Sequence, residues 1–583
     1  MRLIIIGFFA FFYIFSCSTK NEERTLPSGQ KWDVLVNNFI EEYFVLEPTV
    51  AIHAGRHEFD GQLPDFSYEG ISGKIMMLKK YRSEVQFFES ADLDSIRLFE
   101  KKHLLSIIQS QLFWLEQARW PYRNFRYYRS ILSPEIYVSK NYAPLDKRLV
   151  AFINYLERFP VAVNQIRENM SAYPLGEVQI DLGRGFFGGL ADYFESEVPL
   201  IFQVVSNEAL KIKYEQANRE AINAARDLTK WLDEQIKTES EFAMGKQMFE
   251  DMLRQTEQLN VNVEQLKQLG EEDLHRNLEA LRQTCQSFSF GLSISECIQK
   301  VKDEKPKEGS IQAASENLKR LKNFIIKNEI ISIRSEQECL VVEAPPYRRT
   351  NGAYISIPGP YEPDSVRAMF YLSPANENWS EEEITKYTRS KNSVINTAVH
   401  EVWPGHFLQR MHAKYNCSSK LGQLFKSRVF SEGWAHYAEE MMLEAGFKSD
   451  YEAYRITQIL GSLTRNVRFL SAIGLHTSDM TVEQSEEMFR EKAFLSPGSA
   501  RQQAARGVYD PGYFNYTLGK LMIREMKRKG IKNGKSLKEF HDELLSFGMP
   551  PIPLIYEQIF GEKFIFESNS KIQMNQYTQS SNN

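Results

Sequence analysis

His400-Glu401-Val402-Trp403-Pro404-Gly405-His406 closes a helical run whose apolar positions are Val394, Ile395, Ala398 and Val399. Two histidines one helical turn apart, the first followed by a glutamate, present two imidazoles and a general base to one metal ion. Here the histidines are six residues apart. On a regular helix that spacing turns the second imidazole about 120° away from the first. Both reach one ion only if the helix is interrupted between them. Pro404 removes an internal hydrogen bond, and Gly405 tolerates dihedrals closed to other residues. The stretch therefore reads as a metal-binding histidine pair with a two-residue excursion.

A second segment supplies what the first lacks. In Ser431-Glu432-Gly433-Trp434-Ala435-His436-Tyr437-Ala438-Glu439, the residues Glu432, His436 and Glu439 share one helical face. Three protein ligands with one open position define a catalytic zinc site, and a downstream helix is a common source of the third ligand. The expected set is one zinc ion on His400, His406 and Glu432. His436 and Glu439 are expected to orient a ligand imidazole or the metal-bound carboxylate. Five of the ten histidines (His400, His406, His412, His436 and His476) fall within 77 residues. His57-Glu58 has no second histidine nearby and reads as surface or loop structure.

HEVWPGHFLQ followed by SEGWAHYAEEM resembles the bacterial domain-of-unknown-function family 885, placed among the zincin-like gluzincin peptidases. Weaker likenesses surround them: Glu47-Pro48-Thr49-Val50-Ala51, Gly352-Ala353-Tyr354, Gly474-Leu475-His476, and Arg506 with Pro511 and Tyr516-Thr517-Leu518-Gly519. Ala472 departs from the pattern, which has an acidic residue there, as does the segment between Pro511 and Tyr516. The resemblance implies a mainly α, multi-helix zincin-like fold, similar to helical oligopeptidases and carboxypeptidases. It leaves the substrate open.

Zinc chemistry then assigns roles. Glu401 is the expected general base toward a metal-activated water. Tyr516 and His476 are the candidates for stabilising the developing oxyanion; each also reads as a core residue with a satisfied polar group. The strand around Gly352, Ala353 and Tyr354 is a candidate edge for aligning a peptide. Arg348 and Arg506 are candidates for a substrate carboxylate, with a solvated strand edge and a structural salt bridge as the plainer readings.

The rest of the chain frames this region. Its 583 residues are 42% hydrophobic and 25% charged with net charge −5, which excludes bulk disorder and gives no basic footprint for nucleic acid. Arg2 and the apolar run Leu3–Phe15 fit a signal peptide over 1–16, too short for a permanent span. Ile14-Phe15-Ser16-Cys17 resembles a bacterial lipobox, which implies acylation of Cys17 and an envelope protein held on a membrane. Residues 17–31 read as a tether, 32–300 as a helical domain, 313–565 as the catalytic region and 566–583 as a disordered tail. Leu104, Ile107, Ile108, Leu112 and Leu115 trace one helical seam, and Leu210, Tyr214, Ala217, Ala221, Leu228 and Trp231 another. Short β-prone runs at Cys339, Gly352 and Ala368 predict a small antiparallel sheet before the metal motif. Cys285, Cys297, Cys339 and Cys417 allow three full pairings or none. The functional expectation is a zinc metallopeptidase acting on peptides in the cell envelope. The rivals are a lipid-anchored peptide-binding protein without turnover and a zinc hydrolase of another amide or ester bond.

Overall fold

The computed structural model describes residues 27–566, apart from 92, 237–241, 345–351, 375–379, 382–383, 385–387 and 479. Cys17 and Arg348 lie outside the described residues. The described chain is mainly helical with one three-stranded sheet. No helix in it is long and apolar enough to cross a membrane.

The N-terminal half stacks long helices. Helix α1 (Ser28–Leu46) begins inside the stretch expected as tether, because Trp32, Val36, Phe39 and Ile40 on its first turns are buried. It leads into α2 (Pro48–Ala54) and, further on, α3 (Ser95–Leu112). The seam from Leu104 to Leu115 is buried as its spacing requires. Helices α4 (Leu145–Met170), α5 (Glu177–Ser196) and α6 (Glu208–Asp233) enclose a second core rich in Phe and Tyr.

The third and largest core carries the site. It draws on α7 (Val263–Phe288), α8 (Ile294–Lys302) and α9 (Ser310–Lys327), and on much of the chain from there to Phe564. A Cys285–Cys297 disulfide joins α7 to α8, while Cys339 and Cys417 are free and buried. The charged stretch after Val301 is a loop, as its composition suggests, yet Leu281, Val301, Leu318 and Val399 on either side of it share this one core.

The sheet is mixed, which corrects the antiparallel expectation. Strand β3 (Ala368–Leu372) is central, pairing in parallel with β1 (Cys339–Glu343) and antiparallel with β2 (Ala353–Ser356). Alternation within short strands fixes their faces and is silent about neighbour order. β2 is an edge strand and packs on the helix that carries His400.

Five further helices build the site: α10 (Lys391–Glu401), α11 (His406–Asn416), α12 (Arg428–Glu444), α13 (Glu452–Thr477) and α14 (Asn515–Lys532). Helices α12 and α14 meet backbone to backbone. A Cβ added at Gly433 would lie 2.4 Å from Gly519 Cα, and one added at Gly519 would lie 2.1 Å from the Val429 carbonyl. Below this contact runs a buried ionic network. Lys520 of α14 donates to Asp273 of α7 at 2.7 Å, Asn466 of α13 to the same carboxylate at 2.7 Å, and Arg276 of α7 to Glu440 of α12 at 2.7 Å. Burial opposes the Asp273 charge, but Lys520 and Arg276 outweigh it and hold the carboxyl well below its usual range. The network ties four helices into one block.

Gly519→Ala should force α12 and α14 apart and lower stability by about 1–3 kcal/mol or more, read as a lower denaturation midpoint. Gly189→Ala on α5, where an added Cβ meets nothing within 4 Å, should stabilise by about 0.5–1 kcal/mol in the same assay. Equal effects at both positions would refute the close-approach reading.

Candidate metal centre

The two histidines sit where two helices break. Ser390 caps α10 by accepting from the Ser393 amide. The helix ends at Glu401, where the amides of Val402 and Trp403 both donate to the Ala398 carbonyl. The Trp403–Pro404 peptide is cis, and α11 starts at His406. Gly405 passes so close to the end of α10 that an added Cβ would lie 1.8 Å from the His400 carbonyl oxygen. No other residue fits there. Trp434 of α12, fully buried, donates its indole N–H to the Pro404 carbonyl at 2.8 Å. The excursion inferred from Pro404 and Gly405 is thus a packed turn that brings His406 back toward His400.

The trio converges. Glu432 Oε2 lies 3.7 Å from His400 Nε2 and 3.5 Å from His406 Nε2, and all three donor atoms fall within 4.8 Å of one another. Donors of a tetrahedral zinc site with bonds near 2.0–2.1 Å are about 3.4 Å apart, so two of the separations already suit that geometry. The imidazole rings stand nearly perpendicular, with centroids 4.9 Å apart. Among the described residues no other trio of His, Cys, Asp or Glu converges in this way.

Glu439 sets the orientation of His400. Its carboxylate is fully buried and accepts from His400 Nδ1 at 2.7 Å, Asn396 Nδ2 at 2.9 Å and Arg465 Nη2 at 2.7 Å. An ionised carboxylate only accepts, so Nδ1 keeps its proton toward Glu439, and Nε2, which faces Glu432, is the nitrogen that gives up its proton when a metal binds. This is the carboxylate–histidine arrangement that supports metal-bound imidazoles. Burial would raise both carboxyls. Arg465, followed by His400, holds Glu439 well below the usual range, and the two imidazoles do the same for Glu432. Burial disfavours a charge on His400, yet Glu432 and Glu439 carry its pKa up to about 10. Without a metal, two carboxylates are balanced by Arg465 and a protonated His400, and loss of the His400 proton leaves one net negative charge. The donor set and its charge fit a divalent cation such as zinc.

Glu401 follows His400, is half-buried and has no hydrogen-bond partner among the described residues. Tyr516 of α14 stacks near His400 with ring centroids 6.4 Å apart, flanked by the guanidinium groups of Arg465 and Arg468 at 5.5 and 5.1 Å from its ring. Gly352, Ala353 and Tyr354 lie at the start of the β2 edge.

Other expected residues fall elsewhere. His476 is core: Nε2 meets the Gly507 carbonyl at 2.8 Å and the ring packs on Phe249. Burial pushes its pKa down to about 4, so it stays neutral. His436 touches neither expected ligand histidine. Its Nδ1 is 3.9 Å from Glu439 Oε2, neither ring nitrogen has a hydrogen-bond partner, and burial pushes its pKa down to about 3. Arg506 pairs with Asp510 at 3.3 Å, as does Arg428 at 3.1 Å, which favours the salt-bridge reading. His57 stacks on Tyr142 and bonds Asp60 and Glu362, away from the trio. Sequence reasoning misses Arg465 and Asn396. Asn396 carries a signal: it is polar, four residues before His400, on the face that α10 buries. Arg465 carries none.

The family model described as "Bacterial protein of unknown function (DUF885)" matches residues 48–559. No curated protein matches the chain. Two solved structures share the fold. One, from Shewanella oneidensis, is described as a candidate lipoprotein of unknown function; it is 21% identical with TM-score 0.74, over 91% of this chain and 99% of that one. The other, from Colwellia psychrerythraea and also described as a candidate lipoprotein, is 16% identical with TM-score 0.77, over 92% and 99%.

Glu439→Gln should keep the fold and lower zinc affinity about 10- to 100-fold in a chelator-competition titration. Because His400 holds a proton up to about pH 10 in the metal-free protein, metal binding must release it. Zinc affinity should therefore rise about tenfold per unit between about pH 6 and pH 9, and a flat profile would contradict this protonation scheme.

Proposed function

The chain belongs to the DUF885 family, and we propose that it is a zinc metallopeptidase of zincin-like construction, lipid-anchored in the bacterial cell envelope. The observation that carries the proposal is the convergence of His400, His406 and Glu432 from three helices, with Glu401 left unpaired beside them. A structural metal site has no use for a free carboxylate next to its ligands, and four-ligand closure is the rule there.

Zinc would be held by Nε2 of His400, Nε2 of His406 and a Glu432 oxygen. When bound it supplies a Lewis acid that polarises the scissile carbonyl and acidifies water. The chain does the rest. The Glu401 carboxylate takes the proton of the attacking water and delivers it to the departing amine nitrogen. The Tyr516 hydroxyl, with no hydrogen-bond partner among the described residues, donates to the carbonyl oxygen as its charge grows. Glu439, backed by Arg465 and Asn396, keeps His400 in one tautomer throughout. The strand β2, at the edge of the sheet among the described residues and packed on α10, would align an extended substrate by its main chain.

The envelope assignment rests on the apolar leader and lipobox-like Cys17 and on the candidate-lipoprotein description of both structural relatives. The Cys285–Cys297 bond suits an oxidising compartment.

Zinc-loaded protein incubated with a mixed peptide library should give new termini by mass spectrometry. Glu401→Gln should bind zinc as tightly and lose about 100-fold or more in rate. Turnover unchanged by that substitution, or a wild type that holds no transition metal after reconstitution, would end the proposal.

A further inference from the structure

Guanidinium groups outnumber carboxylates on one flank of the metal trio. Asp510, which follows the helix Pro497–Tyr509, is 1% exposed and meets three of them: Arg126 Nη2 at 3.0 Å, Arg428 Nη1 at 3.1 Å and Arg506 Nη2 at 3.3 Å. None of the three pairs with a second carboxylate among the described residues. Arg468 of α13 pairs with none; its Nε donates to the Gln503 side-chain carbonyl at 2.9 Å. It belongs to the same group through Tyr513, whose ring centre lies 4.9 Å from Arg468 Cζ and 4.4 Å from Arg506 Cζ. Four cations thus share a single anion.

Two contacts fix this group beside the trio. The Tyr516 ring lies 6.4 Å from the His400 ring, centre to centre, and 5.1 Å from Arg468 Cζ. Arg428 opens α12 one turn before Glu432, on the same face. Arg465, the other guanidinium against Tyr516, is answered by Glu439 at 2.7 Å and belongs to the support of His400. Solvent reaches the rest. The side chains of Arg126, Arg428 and Arg506 are 25%, 42% and 28% exposed, and Arg468 is half-buried.

A carboxylate accepts about four hydrogen bonds, whereas three guanidinium groups carry about fifteen N–H donors, so Asp510 leaves most of them unused. Neutralising Asp510 takes one cation; the surplus charge stands next to the metal centre. Like charges held this close repel one another, and a second carboxylate would relieve the repulsion while taking forked N–H pairs. We propose that Arg428 and Arg468, with Arg506, form a carboxylate-binding subsite adjoining the metal centre, so that the preferred substrate carries a free carboxylate near the bond cut. Steps of 6.4 and 5.1 Å lead from His400 through Tyr516 to Arg468. An extended residue covers about 3.3–3.6 Å, so about three residues span that distance. The carboxylate is a C-terminus or an acidic side chain; the chemistry is shared. The word substrate rests on the peptidase reading, whereas the binding does not.

The experiment uses zinc-loaded Glu401→Gln protein, which separates binding from turnover. Four pools of N-acetylated tetrapeptides serve as probes: free acid or C-terminal amide, each with one Glu or one Gln among otherwise uncharged residues. Retention is read by equilibrium dialysis and mass spectrometry. Pools bearing a carboxylate in the recognised place should bind about tenfold or more tighter than the pool with neither. Acid against amide, and Glu against Gln, tells which carboxylate is recognised. Adding Arg468→Gln or Arg428→Gln should shrink the gap to about threefold or less. Arg428→Gln leaves Asp510 two guanidinium partners, so that variant stands if Arg468→Gln does not fold. Equal retention of all pools or retention of none would overturn the subsite. So would a gap that survives in every variant that folds, which would put the carboxylate on the metal instead. Wild-type protein run on the same pools separates the two readings. A carboxylate preference without cleavage sinks the peptidase and keeps the subsite, and cleavage without preference does the reverse.

Discussion

A single buried carboxylate governs the centre. Glu439 lies where α10, α12 and α13 cross, and each helix contributes to its environment: His400 and Asn396 from α10, Arg465 from α13, the carboxylate itself from α12. A bare charge at that depth would cost several kcal/mol, so the three donors are a condition of its being there. Their arrangement in turn fixes which imidazole nitrogen of His400 is free. Glu432 is two turns earlier on the same face of α12 as Glu439. One helix face therefore holds His400 from behind and meets it from in front.

Much of this is legible in the amino-acid sequence, because it is written in short-range spacing. Six residues between histidines, with Pro404 and Gly405 inside, already demand a broken helix, and i, i+7 on α12 already aligns Glu432 with Glu439. The failures share one cause. Whether a buried histidine meets a carboxylate, a carbonyl or nothing depends on helices remote in sequence. His476 meets the Gly507 carbonyl and His436 makes no hydrogen bond, though by spacing both are as suitable as Glu439. Arg465 is invisible for the same reason. The mixed sheet escapes sequence reading because parallel pairing of β1 with β3 depends on chain crossings, which side-chain alternation does not record. The helical seams are sound, and the one from Leu210 to Trp231 runs along a single helix.

Paired charges also brace the helices that carry the centre. Beneath the centre, Asp273, Glu440, Lys520, Arg276 and Arg524 answer one another, and this lattice supports α7, α12, α13 and α14. Mutual pairing of this kind is what a rigid base needs.

The glycine contact between α12 and α14 bears on how portable such a centre is. Glu432 is one residue from Gly433, and Tyr516 is one turn from Gly519, so ligand and phenol are set against each other by main chain touching main chain. Side chains at an ordinary helix interface adjust by rotamer and absorb small errors; two backbones in contact have no such slack. Grafting the proposed ligand trio and Glu401 onto another helical scaffold would therefore carry over the recognisable letters and leave behind the close fit that sets them against one another. What has to be moved is the crossed pair of helices, glycines included.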